Sequence, residues 1–181
     1  MSMKGNNQDR HSLRGFTLIE VLVVITIIGI LASISIPVVG RAIESARRAQ
    51  ARTEVASLDA AVRAYYNEYS RFPHQGSQDE YIDGNANLIN VLRARPGTGN
   101  PNHANNRRRI IFLEAGERAL TDSDNPDMID PWGNPYRVLV DMNFNGVLTP
   151  PDHDSVEGRI VLVWSTGDNP GDPRRHLTSW K

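Results

Sequence analysis

One stretch of the chain places oxygen-bearing side chains at a regular spacing. Counted from Asp141, positions 1, 3, 5, 6 and 12 are Asp141, Asn143, Asn145, Gly146 and Asp152. This is the spacing of an EF-hand loop, in which side-chain oxygens bind Ca²⁺ and the glycine permits a sharp turn. The sequence therefore nominates the two aspartates and two asparagines as candidate calcium ligands.

The same stretch differs from an EF-hand in two ways. Position 12 is Asp152 and not the longer glutamate, and Pro150 and Pro151 follow a predicted strand where an EF-hand has flanking helices. The alternative is a polar hairpin loop that uses asparagine and glycine for its turns. The residues alone favour neither interpretation.

Catalytic motifs are absent from the sequence. It contains no Gly-x-Ser-x-Gly, no His-Glu-x-x-His and no glycine-rich phosphate loop. The histidines lie singly in turn-rich sequence, as expected of exposed loop positions: His11, His74, His103, His153 and His176. The sequence therefore predicts that the protein is not an enzyme.

A single carboxylate lies within a long apolar segment. Residues 16–39 form a run of 24 residues in which Glu20 is the only ionisable side chain. As a helix that rises ~1.5 Å per residue, this run spans ~36 Å, enough to cross a hydrocarbon core of ~30 Å. A carboxylate there costs about 2.5–3.5 kcal/mol, so it should have a partner or a function.

Cleavage before the apolar segment would create a partner for Glu20. A short polar leader ends in Gly15, directly before Phe16. Cleavage after Gly15 would leave an amine on Phe16, and in a side-by-side assembly this amine could neutralise the Glu20 carboxylate of a neighbouring subunit. The alternative is a secretory signal cleaved near Ser33 and Ser35, but such signals have a shorter apolar region of about 7–15 residues.

The residues around Gly15 resemble a known processing signal. Residues 14–32, R-G-F-T-L-I-E-V-L-V-V-I-x-I-I-G-I-L-A, are similar to the class III signal of type IV pilins and type II secretion pseudopilins. The resemblance implies that a prepilin peptidase cuts after Gly15 and methylates the amine of Phe16. It also implies that Glu20 guides assembly.

Two further stretches resemble the major pseudopilin of type II secretion systems. D-P-W-G-N-P-Y, residues 130–136, is similar to a motif that leads into the first strand of the head domain in that family. Its prolines and glycine predict a turn, which its two aromatic residues are expected to anchor against the helix. Residues 165–172 are similar, in shortened form, to the S-x-G-x-D-G loop that binds calcium in major pseudopilins. By this resemblance Asp168 and Asp172 form a second set of candidate calcium ligands.

Hydrophobic spacing predicts the elements that position these residues. Residues 40–72 continue the helix as an amphipathic half, with one apolar face formed by Val55, Leu58, Val62, Tyr65 and Tyr69. A short helix is predicted over residues 87–95, and antiparallel strands over residues 136–140 and 159–164. The second of these strands is expected to be central in its sheet.

The predicted fold is α+β and type IV pilin-like, with a long N-terminal helix packed on a small antiparallel sheet. The predicted segments are a cleaved leader (1–15), a transmembrane and filament-core helix (16–39), the amphipathic half of that helix (40–72) and a globular head (73–181). The 181 residues include no cysteine, which excludes disulfides. A bound metal such as calcium is therefore the expected means of stabilising the small head.

Charge gives little indication of a polyanionic partner. The chain has 20 basic and 21 acidic residues, and loss of the leader would remove more basic than acidic ones. Arg107–Arg109 is the one basic run in the predicted head, and because it lacks interleaved aromatic residues a solvated loop is favoured over nucleic-acid binding. Arginines on both sides of the apolar segment leave its orientation undecided.

The resemblance implies that the protein is a structural subunit of a type II secretion pseudopilus, a helical fibre that drives protein export. The resemblance implies four partners: copies of the same chain, prepilin peptidase, minor pseudopilins and the inner-membrane assembly platform. It also implies a single-pass inner-membrane protein with its head in the periplasm, which later enters the filament. The alternatives are a type IV pilus subunit and, in another class, a membrane-anchored periplasmic enzyme.

Overall fold

A computed structural model of the protein describes residues 16–73, 79–82, 85–121 and 124–180. These residues form helices α1 (Leu18–Tyr69) and α2 (Ala86–Leu92). They also form strands β1 (Glu80–Ile82), β2 (Arg137–Val140), β3 (Val147–Leu148), β4 (Val156–Glu157), β5 (Val161–Ser165) and β6 (Leu177–Thr178). The predicted leader, with Gly15, lies outside the described residues.

The chain divides into two compact units. The first extends to Ile43, and its described part is the N-terminal portion of α1. The second, Glu44–Lys181, contains the remainder of α1, helix α2 and all six described strands. We call this second unit the head; the predicted domain boundaries stay a prediction.

The head is built on a four-stranded antiparallel sheet with the order β1-β2-β5-β6. Valines at alternate positions of β2 and β5 point to one face, and Val138 lies opposite Val163 in the register. This face belongs to the same buried cluster as the apolar face of α1, which includes Leu58 and Tyr65. The predicted amphipathic face is therefore confirmed as the one that packs against the sheet.

The opposite face of the sheet is also covered. Leu139, Leu162 and Trp164 point away from α1 and form a second buried cluster with Leu148 of β3. Trp180, near the C-terminus, packs against this cluster. Because both faces are covered, all five residues of β5 are buried, as expected of a central strand.

The α+β, pilin-like arrangement predicted from the sequence is confirmed, whereas several boundaries differ. Helix α2 ends at Leu92 and not at residue 95, because Ala94 adopts a positive φ of 53° that a helix cannot continue. Strand β5 begins two residues later than predicted. Strands β1 and β6 and the β3–β4 hairpin were not predicted, since each strand has only two or three residues.

Candidate functional site

The N-terminus of α1 contains a reciprocal pair of side chains. The Glu20 carboxylate accepts hydrogen bonds from the backbone N–H and the hydroxyl of Thr17, both at 2.9 Å, and the Thr17 hydroxyl accepts one from the Glu20 N–H at 3.2 Å. With Thr17 before the first helical residue, this is a capping box. Glu20 therefore has a polar partner within its own chain. This contact was not predicted, although the T-x-x-E pattern of a capping box is visible in the sequence.

The first part of α1 presents an uncovered apolar surface. Phe16 is 81% exposed, and the other large apolar side chains described up to Ile43 are each about half exposed or more. In the described part of the chain, α1 is the one helix long and apolar enough to cross a membrane. Because so large an apolar surface is unfavourable in water, it must be covered by lipid or by other subunits.

The turn formed by residues 130–136 is organised by a buried carboxylate. Asp130 Oδ1 accepts hydrogen bonds from the backbone N–H groups of Trp132 and Asn134 at 3.0 and 2.8 Å. Its Oδ2 accepts one from the Ser165 hydroxyl at 2.6 Å, and Asn134 Nδ2 donates to the Gly167 carbonyl at 2.9 Å. The turn is thus bonded to the end of β5 and to the loop that follows it.

The same turn is anchored to α1 by its two aromatic residues. Trp132 Nε1 donates to Glu44 Oε2 at 3.3 Å, and the Tyr136 hydroxyl donates to Glu54 Oε2 at 2.5 Å. Burial, together with the Glu54 carboxylate, raises the pKa of Tyr136, so its hydroxyl stays protonated as a donor. The sequence predicted that these two aromatic residues hold the turn against the helix, and both are bonded to it.

Asp168, in the loop after β5, lies between two arginines. Its Oδ1 accepts a hydrogen bond from Arg48 Nη2 at 3.0 Å, and its Oδ2 is paired with Arg175. Arg48 also donates through Nε to Glu44 Oε1 at 3.0 Å. A chain of alternating charges therefore connects α1 to this loop.

Asp172, its companion in the predicted calcium site, has a local role. Its Oδ1 accepts a hydrogen bond from the Arg174 N–H at 3.1 Å and so caps the 3₁₀ turn at residues 173–175. Calcium sites supply six to eight oxygen ligands, several of them carboxylates. Here Asp168 and Asp172 are accompanied by Arg48 and Arg175, so this donor set does not fit calcium.

The loop after β2 is closed by its own oxygen-bearing side chains. The buried Asp141 carboxylate accepts hydrogen bonds from the N–H groups of Asn145 and Gly146 at 3.1 and 3.0 Å. Asn143 Oδ1 accepts from the Asn145 N–H at 2.9 Å, and Asn145 Oδ1 accepts from the Val147 N–H at 2.8 Å. Positions 1, 3 and 5 of the predicted calcium loop thus converge on one tight turn.

The twelfth position of that loop is placed differently. Asp152 lies in the turn of the β3–β4 hairpin, with a positive φ of 63°. Asp79 Oδ1 lies 3.5 Å from the Asn143 backbone nitrogen. The loop therefore has a further carboxylate beside it, one that was not among the predicted calcium ligands. Within the described ranges, no three His, Cys, Asp or Glu side chains converge on a point that could hold a metal ion.

The basic run is fixed beside the C-terminal end of α1. The Arg108 side chain is paired with Glu68, and its backbone N–H donates to the Tyr69 hydroxyl at 3.3 Å. All three arginines of residues 107–109 are exposed. The run is therefore exposed and is bonded to the helix through Arg108.

The C-terminal histidines connect two parts of the head. His153 Nε2, in the β3–β4 hairpin, lies 3.0 Å from His176 Nδ1, and His176 Nε2 lies 3.2 Å from the Pro170 carbonyl oxygen. Because a carbonyl can only accept, this His176 nitrogen carries a proton. The pair links the hairpin to the segment that leads into β6.

Comparisons with known proteins match both the N-terminal segment and most of the chain. The prokaryotic N-terminal methylation motif matches residues 10–36. The chain is 33% identical to the type II secretion system core protein G of Klebsiella pneumoniae over 129 residues, which cover 70% of this chain and 74% of the relative. It is 31% identical to the protein of the same name in Aeromonas hydrophila, over 69% and 71% of the two chains.

The chain belongs to the type II secretion system core protein G family. It is therefore a pseudopilin, a structural subunit. The type IV major pilin protein PilA of Myxococcus xanthus is 39% identical, but only over 59 residues, or 33% of this chain and 27% of the pilin. No solved structure matches the chain.

Family membership confirms some of the predictions made from the sequence and leaves others untested. The predicted resemblance and the structural role are confirmed, and the apolar α1 with its methylation motif indicates anchoring in a membrane. The long matches to core protein G favour the pseudopilin over the pilus subunit, because the pilin match is limited to a third of the chain. The roles of Gly15, Phe16 and Glu20 and the calcium sites stay predictions.

Proposed function

We propose that this pseudopilin is cleaved after Gly15, methylated on the amine of Phe16 and extruded from the inner membrane into a helical fibre that drives protein export. The observation that carries the proposal is the uncovered apolar surface of α1, which overlaps the methylation motif. Lipid covers this surface before assembly, and neighbouring subunits cover it in the fibre. Repetition of one heterologous contact extends the fibre without closing it into a ring.

The proposed membrane topology and partners rest on the same apolar surface of α1 and on the family resemblance. The apolar part of α1 crosses the inner membrane once, and the head lies in the periplasm. A prepilin peptidase processes the chain, and the assembly platform and minor pseudopilins act with it in forming the fibre. The relatives carry the name of a secretion system core protein, which supports this placement and gives no support to the alternative of an anchored enzyme.

Processing after Gly15 is tested by the intact mass of the protein from its native membrane. We expect a chain that begins at Phe16 and carries one additional methyl group. Gly15→Leu should leave the full-length chain in the membrane, because it replaces the residue after which the resemblance places the cut. A mature N-terminus near Ser33 or Ser35 would contradict the proposal and indicate an ordinary secretory signal.

We also propose that calcium binds the head at the loop after β2. Three observations support this site: the spacing of Asp141, Asn143 and Asn145, their convergence on one turn, and the proximity of Asp79. Because few carboxylates are available, the dissociation constant should be about 10⁻⁴–10⁻³ M, as in extracellular calcium modules. Binding to the folded state alone would stabilise the head by about 2.7 kcal/mol at one hundred times that constant.

Thermal unfolding of the full chain in detergent measures this effect. Millimolar calcium should raise the midpoint by several degrees and magnesium much less, because magnesium loses its hydration shell reluctantly. Asp141→Asn should abolish the calcium shift, whereas Asp124→Asn, an exposed control, should retain it. A wild-type midpoint that does not respond to calcium would refute the calcium proposal and leave the fibre proposal intact.

A further inference from the structure

We propose that the loop after β5 is held to α1 by an arginine–carboxylate bridge, Arg48–Asp168–Arg175, at the position where the resemblance implies calcium. The bridge joins residues that are 120 positions apart in the chain. It makes the attachment of this loop independent of calcium. The inference concerns the head alone and does not depend on fibre assembly.

The geometry assigns each Asp168 oxygen to a different guanidinium. Oδ1 is bonded to Arg48 and Oδ2 to Arg175. The side chains of Arg48 and Asp168 are 29% and 25% exposed, so the pair is largely shielded from water. Shielding and a shared carboxylate distinguish this network from an isolated surface ion pair, whose contribution is small.

The charges around Asp168 oppose a divalent cation. A calcium ion would have to displace two guanidinium groups from the carboxylate, and it would then lie close to both of them. The only other carboxylate of the loop, Asp172, caps the adjacent 3₁₀ turn. Glu44 is already bonded to Arg48 and to Trp132, so it too is occupied.

Other contacts fix the start of the loop, and His176 contacts the Pro170 carbonyl in its middle. Ser165 is bonded to Asp130, and the Gly167 carbonyl accepts from Asn134. Both contacts precede Asp168 and connect the loop to the turn of residues 130–136. The ion pair with Arg48 is the contact that connects Asp168 directly to α1.

A double-mutant cycle on the full chain in detergent tests the bridge. Arg48→Gln and Asp168→Asn should each lower the thermal midpoint by about 2–4 °C. The double variant should lower the midpoint by clearly less than the sum of the two single effects, because each single substitution removes the same interaction. Arg47→Gln is the matched control, since Arg47 is exposed on the adjacent position of α1. High salt should reduce the coupling, as expected of partly exposed charges. Additive losses would overturn the proposal.

The same double-mutant cycle is measured in the presence of calcium and in the presence of a chelator. The coupling between Arg48 and Asp168 should be the same in millimolar calcium and in excess chelator. Any calcium-induced rise in the midpoint should persist in Asp168→Asn. Loss of that rise in Asp168→Asn, with retention in Asp141→Asn, would show that calcium and not the bridge holds this loop. A wild type that never responds to calcium would support the bridge and refute only the site at Asp141.

Discussion

Glu20→Ala is expected to abolish fibre formation while the chain still inserts into the membrane. The substitution removes a carboxylate whose burial in lipid costs about 2.5–3.5 kcal/mol, so insertion should be unchanged or improved. If the carboxylate pairs with the Phe16 amine of a neighbour, its loss leaves that amine unpaired in the fibre. Burial of an unpaired cation costs a similar energy of about 2.5–3.5 kcal/mol. This corresponds to about a hundredfold loss of fibre yield, measured in the sheared fraction of producing cells.

Two variants separate the charge of Glu20 from its role in the capping box. Glu20→Gln retains hydrogen bonds to Thr17 but removes the charge, and it should assemble as poorly as the alanine variant. Thr17→Ala removes the capping hydroxyl but keeps the carboxylate, and it should lose only the contribution of a helix cap, about 0.5–2 kcal/mol. Normal fibre yield from Glu20→Gln would show that capping, and not charge pairing, is the function of this residue.

Asp130→Ala is expected to lower the free energy of unfolding of the head by about 3–5 kcal/mol. The substitution removes the acceptor for the N–H groups of Trp132 and Asn134, for the Ser165 hydroxyl and for the Asn134 side-chain amide. The two N–H groups are left without this partner. Urea unfolding followed by tryptophan fluorescence measures the loss, since all three tryptophans lie in the head.

The control for Asp130 is an exposed aspartate of the same region. Asp124→Ala should change stability by less than about 0.5 kcal/mol, because Asp124 is exposed. A loss at Asp130 no larger than at Asp124 would mean that its buried hydrogen bonds contribute nothing net to the fold.

Local patterns in the sequence were sufficient to predict much of this structure. The apolar spacing from Val55 to Tyr69 predicted which face of α1 packs against the sheet, and two short apolar segments predicted β2 and β5. The predicted turn at residues 130–136 is bonded to α1 through both of its aromatic residues. Each of these features depends on contiguous residues or on a fixed period.

Features that depend on distant residues were not predictable in this way. The motif resemblance nominated Asp168 as a calcium ligand, but the partner that occupies its Oδ1 is Arg48, on α1. No local pattern relates these two positions. Strand β6 is similarly defined by its pairing with β5. The β3–β4 hairpin packs on the second face of the sheet, where Leu148 and Trp180 cover Trp164.

The most direct test of the structural role is the composition of fibres sheared from cells that produce the native secretion system. The account predicts that this chain is a principal component of the fibres and that each copy begins at N-methylated Phe16. The outcome that would contradict it is fibres without this chain, with the protein found only as a soluble form that begins near Ser35.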